Sequence, residues 1–197
     1  MRKFESWEMP NQAAIFSLEE AAKYVKDVRN EVKLGGQLRV PSPGIVLTSG
    51  GFDPIHPGHI SCIQDSKDRV RYVYGEDDPV LIVVVNSDIF LENKKGKAFL
   101  PQKVRCQIVS ALRGVDIVVP YRPVNTNDMT VTEALRVIQP DYFTKGGDRN
   151  VIADLPEYPT CLAYKIEIVT GVGYDKLWSS SDYLAQWVCY KNKKMGL

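Results

Sequence analysis

Apolar positions along the 197-residue chain change period several times, and each change marks an element. In "SLEEAAKYVKDVRNEVK" (17–33), Leu18, Ala21, Ala22, Val25, Val28 and Val32 share one helical face, and Ser17 with Glu20 makes a capping box at its start. "LGGQLRVPSPG" then breaks the helix with glycines and prolines. From residue 44 short apolar runs alternate with helical stretches. "GIVLTS", "PVLIVVVNSD", "VDIVVPY", "DYFTKGG" and "YKIEIVT" predict strands. "GHISCIQDSKDR", "PQKVRCQIVSALR", "TVTEALRVIQ" and the closing "SSSDYLAQWVCYK" predict helices. Residues 1–16 show no clear period, and no internal repeat is visible.

Strands alternating with helices at this spacing predict an α/β fold, a Rossmann-like doubly wound parallel sheet of about five strands covered on both faces. Residues 1–43 form an N-terminal helical extension in this reading, and residues 44–197 the main domain. Doubly wound sheets bind ligands beyond the carboxyl ends of their strands. The unusual residues lie there: "GGFDPIHPGH" follows the first strand, "NSD" the second and "KGGD" the fourth.

Composition narrows the classes. The chain is 44% hydrophobic and 25% charged, with a formal net charge of +1, so no global field marks it as a nucleic-acid binder. The four cysteines (Cys62, Cys106, Cys161, Cys189) are scattered without a CxxC pair and read as reduced thiols filling space. No apolar run reaches the length of a membrane span, and "MRKFESWEMP" is not a signal peptide. A cytoplasmic protein with neither nucleic-acid nor membrane partner is the expectation.

Both histidines of the chain sit in one motif, as His56 and His59 of "HPGH". Gly50 and Gly51 end the strand before it, and Pro57 opens a helix, a position where its missing N–H had no partner. Helix N-terminal amides favour phosphate, glycines admit it closely, and imidazoles can donate to phosphate oxygens as charge develops. A helix start with two incidental histidines is the plainer alternative; the strand–glycine–helix context favours phosphoryl chemistry.

"TSGGFDPIHPGH" resembles the HxGH nucleotidyltransferase superfamily, the cytidylyltransferase-like enzymes whose smaller members read G-x-F-D-x-x-H-x-G-H. "VVVNSD", "KKGKAFLPQKVRCQIVSALRGVDIVVP", "IQPDYFTKGGD" and "SSSDYL" follow in the order of sugar-phosphate members, and the heptose 1-phosphate adenylyltransferases are the most similar group, ahead of the glycerol-3-phosphate cytidylyltransferases. The resemblance spans roughly residues 17–190. It implies transfer of a nucleotidyl group, from ATP by preference or CTP, onto a phosphorylated small molecule, with Mg²⁺ on the triphosphate. It implies His56, His59 and Lys95 as catalytic residues. Gly50, Gly51, Phe52, Lys145, Gly147, Asp148, Ser179, Ser180 and Ser181 join the histidines at the nucleotide. Asp53, Lys95 and Arg105 face the acceptor, with Asp53 also assisting the metal. Relatives are commonly dimers, which implies a homodimer. Each residue has a plainer alternative: Lys94, Lys95 and Lys97 as a solvated loop, "KGGD" as a tight turn, Arg105 as a surface arginine, Ser179 with Asp182 as a capping box. Three features depart from the pattern. Gly51 replaces a Cys or Thr, "RVRYVYGEDDPV" is long, and "GYDKLWSSS" lacks an upstream arginine.

Overall fold

The protein is described by a computed structural model over residues 12–34, 43–125, 128–146, 151–174 and 179–195. Its elements in chain order are β1 (Ala14–Ile15), α1 (Leu18–Leu34), β2 (Ile45–Gly50), α2 (Pro57–Tyr74), β3 (Val80–Asn86), α3 (Asp88–Lys95), α4 (Gln102–Ser110), β4 (Ile117–Tyr121), α5 (Thr132–Ile138), β5 (Tyr142–Gly146), α6 (Tyr158–Tyr164), β6 (Glu167–Val172) and α7 (Ser180–Met195). The strands form one parallel sheet ordered β1-β4-β3-β2-β5-β6. The sixth strand is β1, two residues pairing with β4 at the sheet edge, too short to leave a period in the sequence.

Residues Leu81–Val85 of β3 have no exposed surface, because the strand is central and covered on both faces. Its unbroken run of apolar, largely β-branched residues is what such a position requires. One core layer packs α1 (Ala21, Val25), α5 (Ala134, Leu135, Ile138) and α6 (Cys161) on one face; the other packs α2 (Ile63, Val70) and α4 (Cys106, Val109) on the opposite face. The chain crosses between these faces around β2 and β5, which makes the crevice beyond those strands the switch point.

Residues 14–25 join the sheet and its core: β1 extends the sheet, and Ala21 and Val25 of α1 are buried against it. The capping box does form, Ser17 N–H donating to Glu20 and Glu20 N–H to Ser17 Oγ. The long "RVRY" stretch continues α2 to Tyr74, burying Val70, until Gly75 ends it in the left-handed region at φ 76°. Helix α7 differs from the others in burying none of its residues, and Trp187, Val188, Tyr190 and Met195 are exposed.

Candidate active site

Strand β2 delivers Gly50 and Gly51 to the crest of the sheet, and Phe52 turns the chain with φ 50°. A Cβ on Gly50 would lie 2.9 Å from the Phe52 ring, and one on Gly51 2.7 Å from Leu91, so in this structure protein side chains fill the space both glycines leave. His56 is the N-cap residue of α2, in extended backbone (φ −147°, ψ 168°), yet its side chain caps nothing. Its carbonyl accepts from His59 N–H (2.9 Å) and Ile60 N–H (3.2 Å), while its ring stacks on His59 with centroids 3.8 Å apart. Gly58 permits this: a Cβ there would meet the His56 ring at 3.0 Å. Phe52 meets His59 edge-on at 5.3 Å, and Tyr183 of α7 lies 5.9 Å from His56.

Burial pushes the His59 imidazole down to about 3 from its ordinary 6.5, with repulsion from His56, Lys95 and Lys94 adding and Asp53 opposing. Burial lowers His56 too. Both rings are therefore neutral at pH 7, each with one N–H to donate. His59 Nδ1 is buried without a partner. Because its folded value lies below the unfolded one, the unfolded chain takes up the proton first as pH drops. The stability this lends is complete above pH 6.5 and is lost as pH falls towards 3. Thermal melts from pH 7.5 to 4 will show wild type losing stability more steeply than His59→Asn; parallel curves would contradict this assignment.

Lys95 reaches the site, though from the last turn of α3 rather than a flexible loop. Ser87 caps α3 by accepting from Phe90 N–H (3.2 Å), and Gly96 ends it at φ 87°. Lys95 Nζ donates to the Asp53 carbonyl oxygen and pairs with Asp53 Oδ2 at 3.2 Å. Asp53, expected at the acceptor or the metal, is turned towards the protein in this structure. Its side chain has no exposed surface, and its oxygens accept from Phe99 N–H (2.7 Å) and Leu100 N–H (2.8 Å). That carboxylate holds the 99–100 backbone against the motif and does not fit a magnesium ligand.

Arg105, expected at the acceptor, is also turned inward in this structure. Its side chain is fully buried, and it donates to Leu100 O, Gly51 O, Asn86 O and Asp88 Oδ1. Those bonds commit the guanidinium to tying the ends of β2 and β3 to α3 and the following loop, in place of acceptor contact.

Lys145 sits across the crest at the end of β5, 3.3 Å from Ser49 Oγ, 3.4 Å from Glu157 Oε1 and over the Phe143 ring. Gly147 and Asp148 lie outside the described residues. Ser179 caps α7 through the expected box: Asp182 N–H donates to Ser179 Oγ (3.2 Å), and Ser179 N–H to Asp182 Oδ2 (2.7 Å). Ser180 Oγ donates to Pro54 O (2.9 Å), which brings the start of α7 to the histidine motif; Ser181 is exposed in its first turn. The structure thus gathers His56, His59, Phe52, Lys95 and Ser180, and sets Lys145 on the neighbouring strand end. Sequence reasoning missed Tyr183 and Glu157. Helical spacing from Ser180 points to the first, whereas only tertiary packing brings Glu157 to Lys145.

A family model described as cytidylyltransferase-like matches residues 47–171. The bifunctional protein HldE of Gluconobacter oxydans is 30% identical over 143 residues, 72% of this chain and 25% of that protein. The FAD synthase of Methanosphaera stadtmanae is 33% identical over 108 residues, 55% of this chain and 66% of its own. A crystal structure of the lipopolysaccharide core biosynthesis protein from Thermoplasma volcanium superposes with TM-score 0.52 at 26% identity, covering 67% of this chain and 98% of that one. The chain spans about a quarter of the HldE protein it matches. Among the described residues no helix is long and apolar enough to cross a membrane.

Proposed function

The chain belongs to the cytidylyltransferase-like family of nucleotidyltransferases, and we propose that it moves AMP from ATP onto a sugar phosphate, releasing pyrophosphate. The observation that carries this reading is the stacked, neutral His56–His59 pair at a helix start that no side chain caps. The helix dipole gives that point a positive potential, suited to a triphosphate. An acceptor phosphate oxygen forms a bond to the α-phosphorus as the bond to the departing pyrophosphate oxygen breaks. The histidines donate to the oxygens on which charge accumulates, and no covalent enzyme intermediate is required. Arrival of the anionic triphosphate also offsets the repulsion from Lys94 and Lys95 at His59, which raises its capacity to donate. Magnesium would enter with the triphosphate, held by phosphate oxygens and water.

Adenylyl transfer is favoured by the sequence likeness to heptose adenylyltransferases and by a FAD synthase among the relatives. Cytidylyl transfer to glycerol 3-phosphate or another phospho-alcohol ranks second. A regulatory protein that binds nucleotide without turnover is the reading from another class. One experiment separates all three: pyrophosphate release with ATP and with CTP across a panel of sugar phosphates and glycerol 3-phosphate. Release with ATP and a sugar phosphate supports the proposal. Turnover with CTP alone reverses the order, and tight nucleotide binding with no release supports the regulatory reading.

A further inference from the structure

At the carboxyl ends of β3 and β4, Asn86 and Tyr121 stand opposite one another in register. Asn86 is 6% exposed and Tyr121 3% exposed, yet Asn86 Oδ1 and the Tyr121 hydroxyl have no hydrogen-bond partner. Their backbone carbonyls are, by contrast, both engaged: Arg105 donates to Asn86 O at 2.8 Å, and Gln102 Nε2 to Tyr121 O at 3.1 Å. The side chains share the sheet face covered by α1 and α5. Tyr121 packs in that core layer, and strand alternation puts Asn86 on the side of Val84. Leaving two such atoms unpaired costs about 1–3 kcal/mol each, a cost that a ligand group reaching them would recover.

The chemistry of the pair is specific. Asn86 Oδ1 only accepts, and a phenol hydroxyl both donates and accepts. Burial pushes the phenol up to about 12, with Asp128 and Glu133 adding, so it keeps its proton. A ligand hydroxyl has the matching chemistry, able to donate to Asn86 and to accept from Tyr121. The location fits an acceptor. Gly50 pairs with Val85, so Asn86 flanks the glycines that lead into the histidine motif. It also lies beyond the strand ends where ligands of such sheets bind.

We propose that Asn86 and Tyr121 form the seat for a hydroxyl group on the carbon skeleton of the phosphorylated acceptor, and so determine its specificity. This rests on the proposed transfer reaction. The test is steady-state kinetics of wild type and Tyr121→Phe, using the hydroxylated phosphates of the panel and deoxy counterparts of the acceptor wild type uses. Tyr121→Phe removes one oxygen; it is expected to raise the acceptor KM about tenfold while changing the ATP KM less than twofold and leaving Tm unchanged or higher. The deoxy acceptor lacking the seated hydroxyl should show the same penalty with wild type and none further with the variant. Asn86→Ser provides an independent arm, with the same split between acceptor and ATP. A lower Tm with unchanged acceptor KM would assign Tyr121 to structure and overturn the inference alone. Wild-type transfer to none of the hydroxylated phosphates would overturn the reading of the reaction, and the inference with it.

Discussion

His59→Ala and His56→Ala will each slow nucleotidyl transfer by about 10²-fold or more while the protein remains folded. The expected size follows from the role: a donor aimed at charge that grows in the transition state contributes most when it is desolvated and already in place. His59 meets both conditions, being partly buried between Phe52 and His56, with its Nδ1 out of solvent and its ring in contact with both. His56 is more exposed and is held by stacking and by Tyr183, so His59 is expected to show the larger loss. Turnover should be measured at saturating ATP and acceptor, with circular dichroism and thermal melting on the same samples. Near-normal turnover in a folded variant would remove that histidine from the mechanism.

Arg105→Ala is expected to be the most destabilising single substitution at the site, by about 3 kcal/mol or more. Truncation leaves the buried carbonyl of Asn86 and the partly buried carbonyls of Gly51 and Leu100 without this donor and opens a cavity the size of a guanidinium. For a chain of this length that is a fall in Tm of roughly 6–12 °C. Arg105→Lys should recover only part of it, since one ammonium cannot span acceptors set in different directions. Urea titration and thermal melts check both variants. An Arg105→Ala protein as stable as wild type would mean that its bonds are replaced by water at little cost.

Much of the architecture was legible because burial on two faces imprints itself on consecutive residues. The β3 run and the α/β alternation needed no tertiary information, and the capping boxes at Ser17 and Ser179 are local enough to read directly. What escaped has a physical reason in each case. Strand β1 is two residues of pairing at an edge, and α6 is a seven-residue helix begun around Pro159, both shorter than the periods that reveal elements. Helix α3 reads as loop because its lysines and Asn93 mask a faint apolar face, of which only Leu91 is buried. The histidines could be singled out in sequence because the motif that positions them is contiguous. The backbone bonds of Asp53 and Arg105 could not be read in advance, because residue type announces chemistry, whereas burial decides which groups that chemistry faces. Asn86 lay inside a quoted motif, but its unpaired oxygen exists only once β4 is beside it.

Asp53 has a mechanical consequence. With Lys95 at the end of α3 and the 99–100 backbone both fastened to one carboxylate, and Arg105 bracing the same region, the histidine motif, α3 and the intervening turn behave as a single rigid plate. A plate cannot be retuned one residue at a time, because any shift in α3 is carried to the imidazoles. A substitution in α3 is therefore expected to be felt at the histidine motif even where it touches neither imidazole.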